Sequence, residues 1–543
     1  MSNSNNAEQL EQPLYEYIAA AARGSFILFL GEFLYNLTLA LGSIVIARIL
    51  GSSGYGIFSL SLVPPITIAS LASLGLDAAA TRYIQLFLSQ GNKQNVKVAI
   101  ISVLLLRLTL GSLGFAICYI FAEPLSQLLL NNVNYAPFVR ITSIVALLQS
   151  LYSIVLAIFI GLGKPAQATL AKLTYSIAKV STSIYLIVTA NLFEQRVAGA
   201  LRGNIAGYFA SLTLSFAFLL PLIGSIISEL KHNEKAFITL SKEMLRYGIP
   251  LYIASLVPIF TGVFQNALLA YTLTPNEIGG YRAMANLNTL ISVVTTPISA
   301  MLLPLFTRFC NDTNRLKELS QETNRYIALV VVPVTIFAMI FSRDVLYIFY
   351  GYEYAAMAQY LPLLLAPNLL AGLGSIALPA LLNAIGDTKA NMVSTMISTS
   401  IFVSLSIILT YRWRLWGFLT ASFISSISGL TYLTLRTRKY IVRPIDYRYS
   451  IKIYIAAIIS SVLSSIVFVA PLPKPVSLFR IVTGFVLFIL SYIPTLIALC
   501  AIEEKDLQFI SEAFKTFPIV NNAITILVKY AKTVMKLMNR LRQ

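Results

Sequence analysis

An all-α protein that crosses a membrane many times is what this sequence predicts, and three observations carry the prediction. Of its 543 residues, 57% are hydrophobic and only 11% charged, and the mean hydropathy is +0.77. No ordinary soluble domain has that balance. The apolar residues fall in runs of about 20, the length a helix needs to cross about 30 Å of hydrocarbon. Two stretches far apart in the chain also carry the same landmarks in the same order.

The runs give about fourteen spans, at 24–47, 57–80, 98–121, 138–160, 168–190, 197–222 and 249–271, then 283–306, 326–341, 360–385, 392–410, 415–435, 451–470 and 478–502. The net charge of +18 lies between the runs rather than in a separate basic domain, so it suits anionic lipid headgroups better than nucleic acid. With a cytoplasmic N-terminus, alternate loops hold Arg82, Lys93 and Lys97, then Lys164, then Lys231, Lys235, Lys242 and Arg246, then Arg308, Arg315, Lys317 and Arg325, then Lys389, then Arg436, Arg438, Lys439, Arg443 and Arg448. The other loops hold fewer cations. This excess predicts that both termini are cytoplasmic, and the membrane expected is the plasma membrane. Residues 1–12 lack a basic segment and a cleavage site, so no signal peptide is expected.

The duplication shows in the first landmark, Leu50-Gly51-Ser52-Ser53-Gly54-Tyr55-Gly56, followed by an apolar run ending at Thr81-Arg82-Tyr83. Its counterpart is Leu273-Thr274-Pro275-Asn276-Glu277-Ile278-Gly279-Gly280-Tyr281, followed by a run ending at Thr307-Arg308-Phe309. Arg82 precedes Gly163 by about 81 residues and Arg308 precedes Gly386 by about 78, each glycine sitting in a short turn. Each copy has six spans and starts and ends on the same side, so a parallel repeat is expected. The expected layout is an N-terminal segment (1–23), a first lobe (24–224), a linker (225–248), a second lobe (249–436), two extra spans (437–502) and a basic amphipathic tail (503–543). In that tail, apolar residues from Ile519 to Leu541 recur with helical period, and Lys529, Lys532, Lys536, Arg540 and Arg542 lie mostly between them. The tail is read as a helix on the anionic inner leaflet, or else docked on the protein's own inner loops.

Cys118, Cys310 and Cys500 have no pairing or metal spacing, and His232 is the single histidine. Neither a disulfide framework, a metal site nor a histidine-based catalytic triad is expected. Charges at bilayer depth are costly and mark substrate paths or partners, and here they are lopsided. Glu32, Arg107 and Lys179 fall well inside the first, third and fifth spans, and Asp77 and Arg82 near the inner end of the second. Spans seven to twelve offer neutral polar residues instead, among them Gln265, Asn266, Asn286 and Asn288. Lys172, Ser176, Lys179 and Ser183 share one helix face, as do Glu32, Tyr35, Asn36 and Ser43. Two readings follow. Either these stripes line an aqueous interior, or Glu32 pairs with Arg107 or Lys179 to hold helices together. Arg82 and Arg308 read as an entry for an anion or as anchors on lipid phosphates.

The run Ala47-Arg48-Ile49-Leu50-Gly51-Ser52-Ser53-Gly54-Tyr55-Gly56, with Leu74-Gly75-Leu76-Asp77-Ala78-Ala79-Ala80-Thr81-Arg82, resembles the opening signature of the multidrug/oligosaccharidyl-lipid/polysaccharide exporter superfamily. Gly161-Leu162-Gly163-Lys164-Pro165 and Glu277-Ile278-Gly279-Gly280-Tyr281-Arg282-Ala283 extend the likeness. Within it the chain looks like the polysaccharide transporter branch, the Wzx-type flippases. The resemblance implies a monomeric transporter rather than an enzyme, with two lobes around a cavity that opens alternately to either side. Its substrate would be a polyprenyl or dolichyl phosphate or pyrophosphate bearing a sugar chain, moved from the cytoplasmic to the outer leaflet. Arg107 and Lys179 would hold the phosphate and Arg82 would capture it, Glu32 would tune that charge or help return the carrier to its inward state, and Asn36 would join the substrate site. Asp77, Arg140, Arg308 and Asn266 are secondary candidates. Some relatives carry an acid in the seventh helix linked to ion coupling. This chain has Gln265 and Asn266 there, so no sodium or proton site is visible and no cofactor is expected. The competing reading is a cation-coupled multidrug antiporter of the same superfamily, which would want a deep acidic pocket.

Overall fold

The computed structural model describes residues 4–223, 234–468, 476–504, 506–507 and 518–542. His232 and much of the expected linker lie outside them. Every regular element among the described residues is helical. This follows from the composition, because in hydrocarbon each backbone N–H and C=O needs a partner within its own helix. The chain forms two compact units, Met1–Val293 and Val294–Gln543.

The first unit holds α1 (Ser4–Ser61), α2 (Val63–Leu71), α3 (Leu76–Ser89), α4 (Lys93–Ile120), α5 (Ala122–Leu130), α6 (Ala136–Thr142), α7 (Ile144–Gly161), α8 (Pro165–Thr189), α9 (Phe193–Ile223), α10 (Glu234–Thr272) and the start of α11 (Pro275–Arg308). The helices meet through an apolar core that includes Leu76, Ala80, Ile84, Ile100, Ile158, Phe159, Leu219 and Met244. This division differs from the partition into repeats: α10, which opens the second repeat, packs on α2, α3, α4 and α5 of the first unit.

Glycines set the closest approaches. α9 carries Gly199, Gly203 and Gly207 at four-residue spacing, and this stripe lies against Leu186, Ser183 and Lys179 of α8. A Cβ on Gly203 would stand 2.1 Å from Ser183 Oγ and 2.5 Å from its Cα. Gly203→Val is therefore expected to destabilise the protein by about 1–3 kcal/mol, as overpacking does, and lower its melting temperature in detergent. The two landmark turns of the repeat also touch. A Cβ on Gly56 would lie 2.0 Å from Pro275 O, and one on Gly279 would lie 1.8 Å from Ser52 O. α11 begins with a capping box, in which the Glu277 carboxylate accepts from Thr274 N at 2.9 Å and the Glu277 N–H donates to Thr274 Oγ1.

The second unit contains the rest of α11, then α12 (Thr313–Ile340), α13 (Ser342–Tyr350), α14 (Tyr352–Ala355), α15 (Leu361–Leu369), α16 (Ala377–Ile385), α17 (Thr388–Thr437), α18 (Tyr447–Ser464), α19 (Val476–Ala498) and α20 (Pro518–Arg542). Ala328, Val332, Ile453, Ala457, Phe488 and Leu496 form its core between α12, α18 and α19. Between α15 and α16 a 3₁₀ turn ends at Gly374 (φ 100°), and its freed carbonyls are satisfied by side chains. Tyr454 donates to Leu369 O, while Asn324 and Ser450 donate to Gly372 O at 3.0 and 2.7 Å. Beyond α19, Asp506 is fully buried. It accepts from Arg325 and from Tyr326 (3.0 Å) of α12, and from the Glu503 N–H (2.7 Å). The amphipathic tail forms α20 and docks on α19, where Tyr530 donates to Leu490 O at 2.9 Å and Ala531 is buried. Its Lys529, Lys532, Lys536 and Arg540 stay exposed. Of the two readings of the tail, contact with the protein is thus seen, made to a spanning helix instead of to loops.

Among the described residues, eight helices are long and apolar enough to cross a membrane, or ten if two bent pairs are each one span. The expected count was fourteen. Part of the difference is that two of the eight, 42 and 50 residues long, are double length at 1.5 Å per residue. The first is interrupted at Gly51 (φ 71°, ψ 171°) and the second at Arg414 (φ 51°, ψ −131°), each between two of the predicted runs.

Candidate functional site

The charges that the sequence places at bilayer depth in the first unit fall into three groups. In the first, Lys172 of α8 donates to Glu32 of α1 at 2.5 Å, and Asn36, one turn along α1, donates to the other carboxylate oxygen at 3.4 Å. The sequence reading paired Glu32 with Arg107 or Lys179. The partner is Lys172, two turns from Lys179 on the same face of α8, because the crossing of α1 and α8 brings that turn to Glu32. Tyrosines surround the pair. Tyr35, Tyr152 and Tyr208 ring Tyr175, their centroids 6.3, 5.4 and 4.5 Å from its own. Tyr175 also donates to Asn204 at 3.2 Å, and Lys172 lies 5.9 Å from the Tyr35 ring.

If the pair acts through its charges, Glu32→Lys and Lys172→Glu each reduce transport about tenfold or more, and the double swap restores part of it. A flipping assay on the three variants at matched abundance checks this.

The second group is Arg107 of α4 with Asp77. Arg107 is fully buried. It meets Asp77 at 2.5 Å and reaches Ala72 O and Ser150 Oγ at 3.5 Å. Ala72 lies in the break between α2 and α3, where Leu74 (φ 46°) and Gly75 (φ 71°) turn the chain left-handed. The guanidinium thus braces a broken helix and has its charge balanced within the protein. Asp77 is itself about 41% exposed and, with Ser70, Ser73, Gln149, Ser153 and Tyr252, lines a second pocket of about 400 Å³. One turn further along α3, exposed Arg82 stacks its guanidinium 4.1 Å from the centre of the Tyr247 ring.

The third group is Lys179. It stands fourteen residues from the start of α8 and ten from its end, about 21 and 15 Å along the axis, which is mid-membrane depth. Its Cα and Cβ pack closely against Gly207 of α9. The ammonium reaches Tyr175 OH at 3.4 Å, and among the described residues no acid pairs with it. It lines a cavity of about 240 Å³ with Asn36, Ser43, Tyr55, Asn286 and Thr289, and no carboxylate is in that lining. Asn286 donates to Tyr55 OH at 2.6 Å.

Of the secondary candidates, Arg140 forms an exposed pair with Glu123 at 2.7 Å, away from the cavity. Asn266 accepts from Arg282 and donates to Gly262 O at 2.7 Å. Arg308 is exposed at the end of α11, 5.8 Å from the Phe309 ring. The sequence reading placed Tyr35 on the face of Glu32 and Asn36, but it singled out no tyrosine cluster and gave Tyr55 no place in a site. A signal was available for Tyr175, which sits one turn from Lys179 on the same helix face.

The family model described as Polysaccharide biosynthesis protein matches residues 21–310 of this chain. The chain belongs to that family. This member of the polysaccharide biosynthesis protein family is 22% identical over 438 residues to stage V sporulation protein B of Bacillus subtilis (strain 168), covering 76% of this chain and 82% of that protein. Its fold is similar to that of the lipid II flippase MurJ in an inward closed conformation, with a TM-score of 0.65 at 15% identity over 86% of this chain and 97% of that one. It is also similar to a multidrug resistance MATE family transporter of the MOP superfamily in an inward-facing conformation. There the TM-score is 0.61 at 17% identity over 75% and 94% of the two chains. These likenesses bear out the resemblance read from the sequence at the level of family and fold, and they fit a multi-pass membrane protein.

Proposed function

We propose that this protein is a flippase for a lipid-linked glycan whose carrier is joined through phosphate or pyrophosphate, moving it from the cytoplasmic to the outer leaflet. The observation that carries the reading is the charge balance of the first unit. Glu32 is taken by Lys172 and Asp77 by Arg107, and Lys179, beside a polar cavity, is a cation with no acid paired to it among the described residues. Such a site favours an anion at bilayer depth and repels a cation. Its volume of about 240 Å³ falls below the range of about 300–1,000 Å³ that buries a drug-sized ligand. It suits the phosphate end, with Asn36, Ser43 and Asn286 offering hydrogen bonds to the first sugar, while the lipid tail stays in the bilayer. Arg82, exposed and held on Tyr247, is the capture residue at the cytoplasmic side given by the charge asymmetry. Arg107 passes from phosphate ligand to positioning residue, because its charge is already neutralised. The membership in a polysaccharide biosynthesis family and the fold shared with a lipid II flippase support the same substrate class.

The alternative, a cation-coupled multidrug antiporter, draws on the fold shared with the MATE family transporter. The test is deletion of the gene followed by analysis of lipid-linked glycans. Accumulation of cytoplasm-facing precursor with loss of surface glycan is expected. Unchanged glycans with altered sensitivity to cationic drugs would favour the antiporter.

A further inference from the structure

The second unit contains a groove unrelated to Lys179. It has a volume of about 630 Å³ and runs between α15 with its 3₁₀ turn, the second half of α17, and α18. Its walls are Leu370, Leu373, Phe423, Ile427, Leu430 and Tyr454, and at one end stand Arg438 and Tyr447. The wall contains a broken helix, yet its carbonyls make no demand for water or sugar, because Tyr454, Asn324 and Ser450 already donate to Leu369 O and Gly372 O. An apolar occupant is therefore favoured along its length. From Phe423 to Arg438 the groove follows about 22 Å of α17, somewhat more than the half-bilayer of about 15 Å that one acyl chain fills. At its charged end, Arg436 is bound to Asp387 at 2.6 Å and contacts Tyr440, whereas Arg438 is exposed and has no acidic partner among the described residues. Lys439 and Arg443, also exposed, add positive charge beside it.

We infer that this groove is a binding site for an anionic glycerophospholipid of the inner leaflet, with an acyl chain along α17 and the headgroup phosphate on Arg438. Charge complementarity selects the anionic lipid over a zwitterionic one, and every residue lining the groove belongs to the second unit. The full chain, washed free of lipid in a mild detergent, is offered phosphatidylglycerol or phosphatidylcholine with the same acyl chains, and bound lipid is counted by native mass spectrometry. Phosphatidylglycerol is expected to be retained at least about fivefold better. Arg438→Glu, which reverses the charge, and Thr431→Trp, which fills the groove, should each lower that retention by a similar factor. Lys389→Glu, the same charge change elsewhere, should not. Equal retention of the two lipids, unaffected retention in both groove variants, an equal loss in Lys389→Glu, or displacement of phosphatidylglycerol by equimolar polyprenyl phosphate overturns the inference. Folding of the variants is bypassed by a wild-type experiment, in which phosphatidylglycerol with a photoreactive acyl end should label peptides within 423–438 or 447–454. Absence of adducts there also overturns it.

Discussion

Lys179→Gln is expected to lower flipping of the lipid-linked glycan by about 10- to 100-fold while leaving the amount of protein in the membrane unchanged. The range is what the loss of one charge-assisted hydrogen bond of about 1.5–3 kcal/mol gives. Abundance should hold because, among the described residues, the ammonium has no acidic partner whose burial it relieves, and its neighbour Tyr175 keeps its bond to Asn204. Lys179→Arg should recover part of the activity, limited by the room that the larger, planar guanidinium takes in a cavity of about 240 Å³. Flipping of a fluorescent or radiolabelled substrate in proteoliposomes measures both. If Lys179→Gln transports like the wild type, the cavity beside it is not where the phosphate binds.

The second large effect falls on stability. Arg325 and Asp506 form an ion pair with 8% and 0% of their side chains exposed, and Tyr326 and the Glu503 N–H complete the carboxylate's partners. Asp506→Ala leaves the guanidinium buried beside Tyr449 without a counter-charge, which costs about 3–5 kcal/mol. A fall in melting temperature and loss of the protein from the membrane fraction are expected. The double variant Arg325→Met with Asp506→Leu should recover most of that loss, because two apolar side chains need no pairing. A double variant no better than Asp506→Ala would show that the tyrosine and backbone contacts, rather than the charges, hold this corner.

The fold was readable because a bilayer makes simple demands. Runs of apolar residues had to become helices, and Gly51 and the Arg412-Trp413-Arg414 stretch, lying between runs, fell at the breaks. The candidate site was readable only in outline. Lys179, Asn36 and Ser43 were found by their spacing on two helix faces, and they do line one cavity. What a single helix cannot disclose is its rotation against its neighbours. Lys172 and Lys179 share a stripe, so the choice of which one meets Glu32 rests on where α1 crosses α8, and that is set by small residues such as Gly31 and Gly42 lying close to Thr169 and Val180. Arg107 and Asp77 were noted separately, and their union depends on a helix break that the sequence signalled only through Leu74-Gly75. Asp506 gave no signal at all. It lies past the last span in a short polar segment, and its importance comes wholly from burial against α12.

The contact between the two landmark turns leaves neither of them room to vary alone. Gly56 presses on Pro275, and Gly279 presses on Ser52, so each stretch forms the mould for the other. A bulkier residue in either turn collides with main chain, which has no rotamer by which to step aside. A change in one turn therefore has to be met by a shift in the backbone of the other, whereas a side chain facing lipid can change without such an answer.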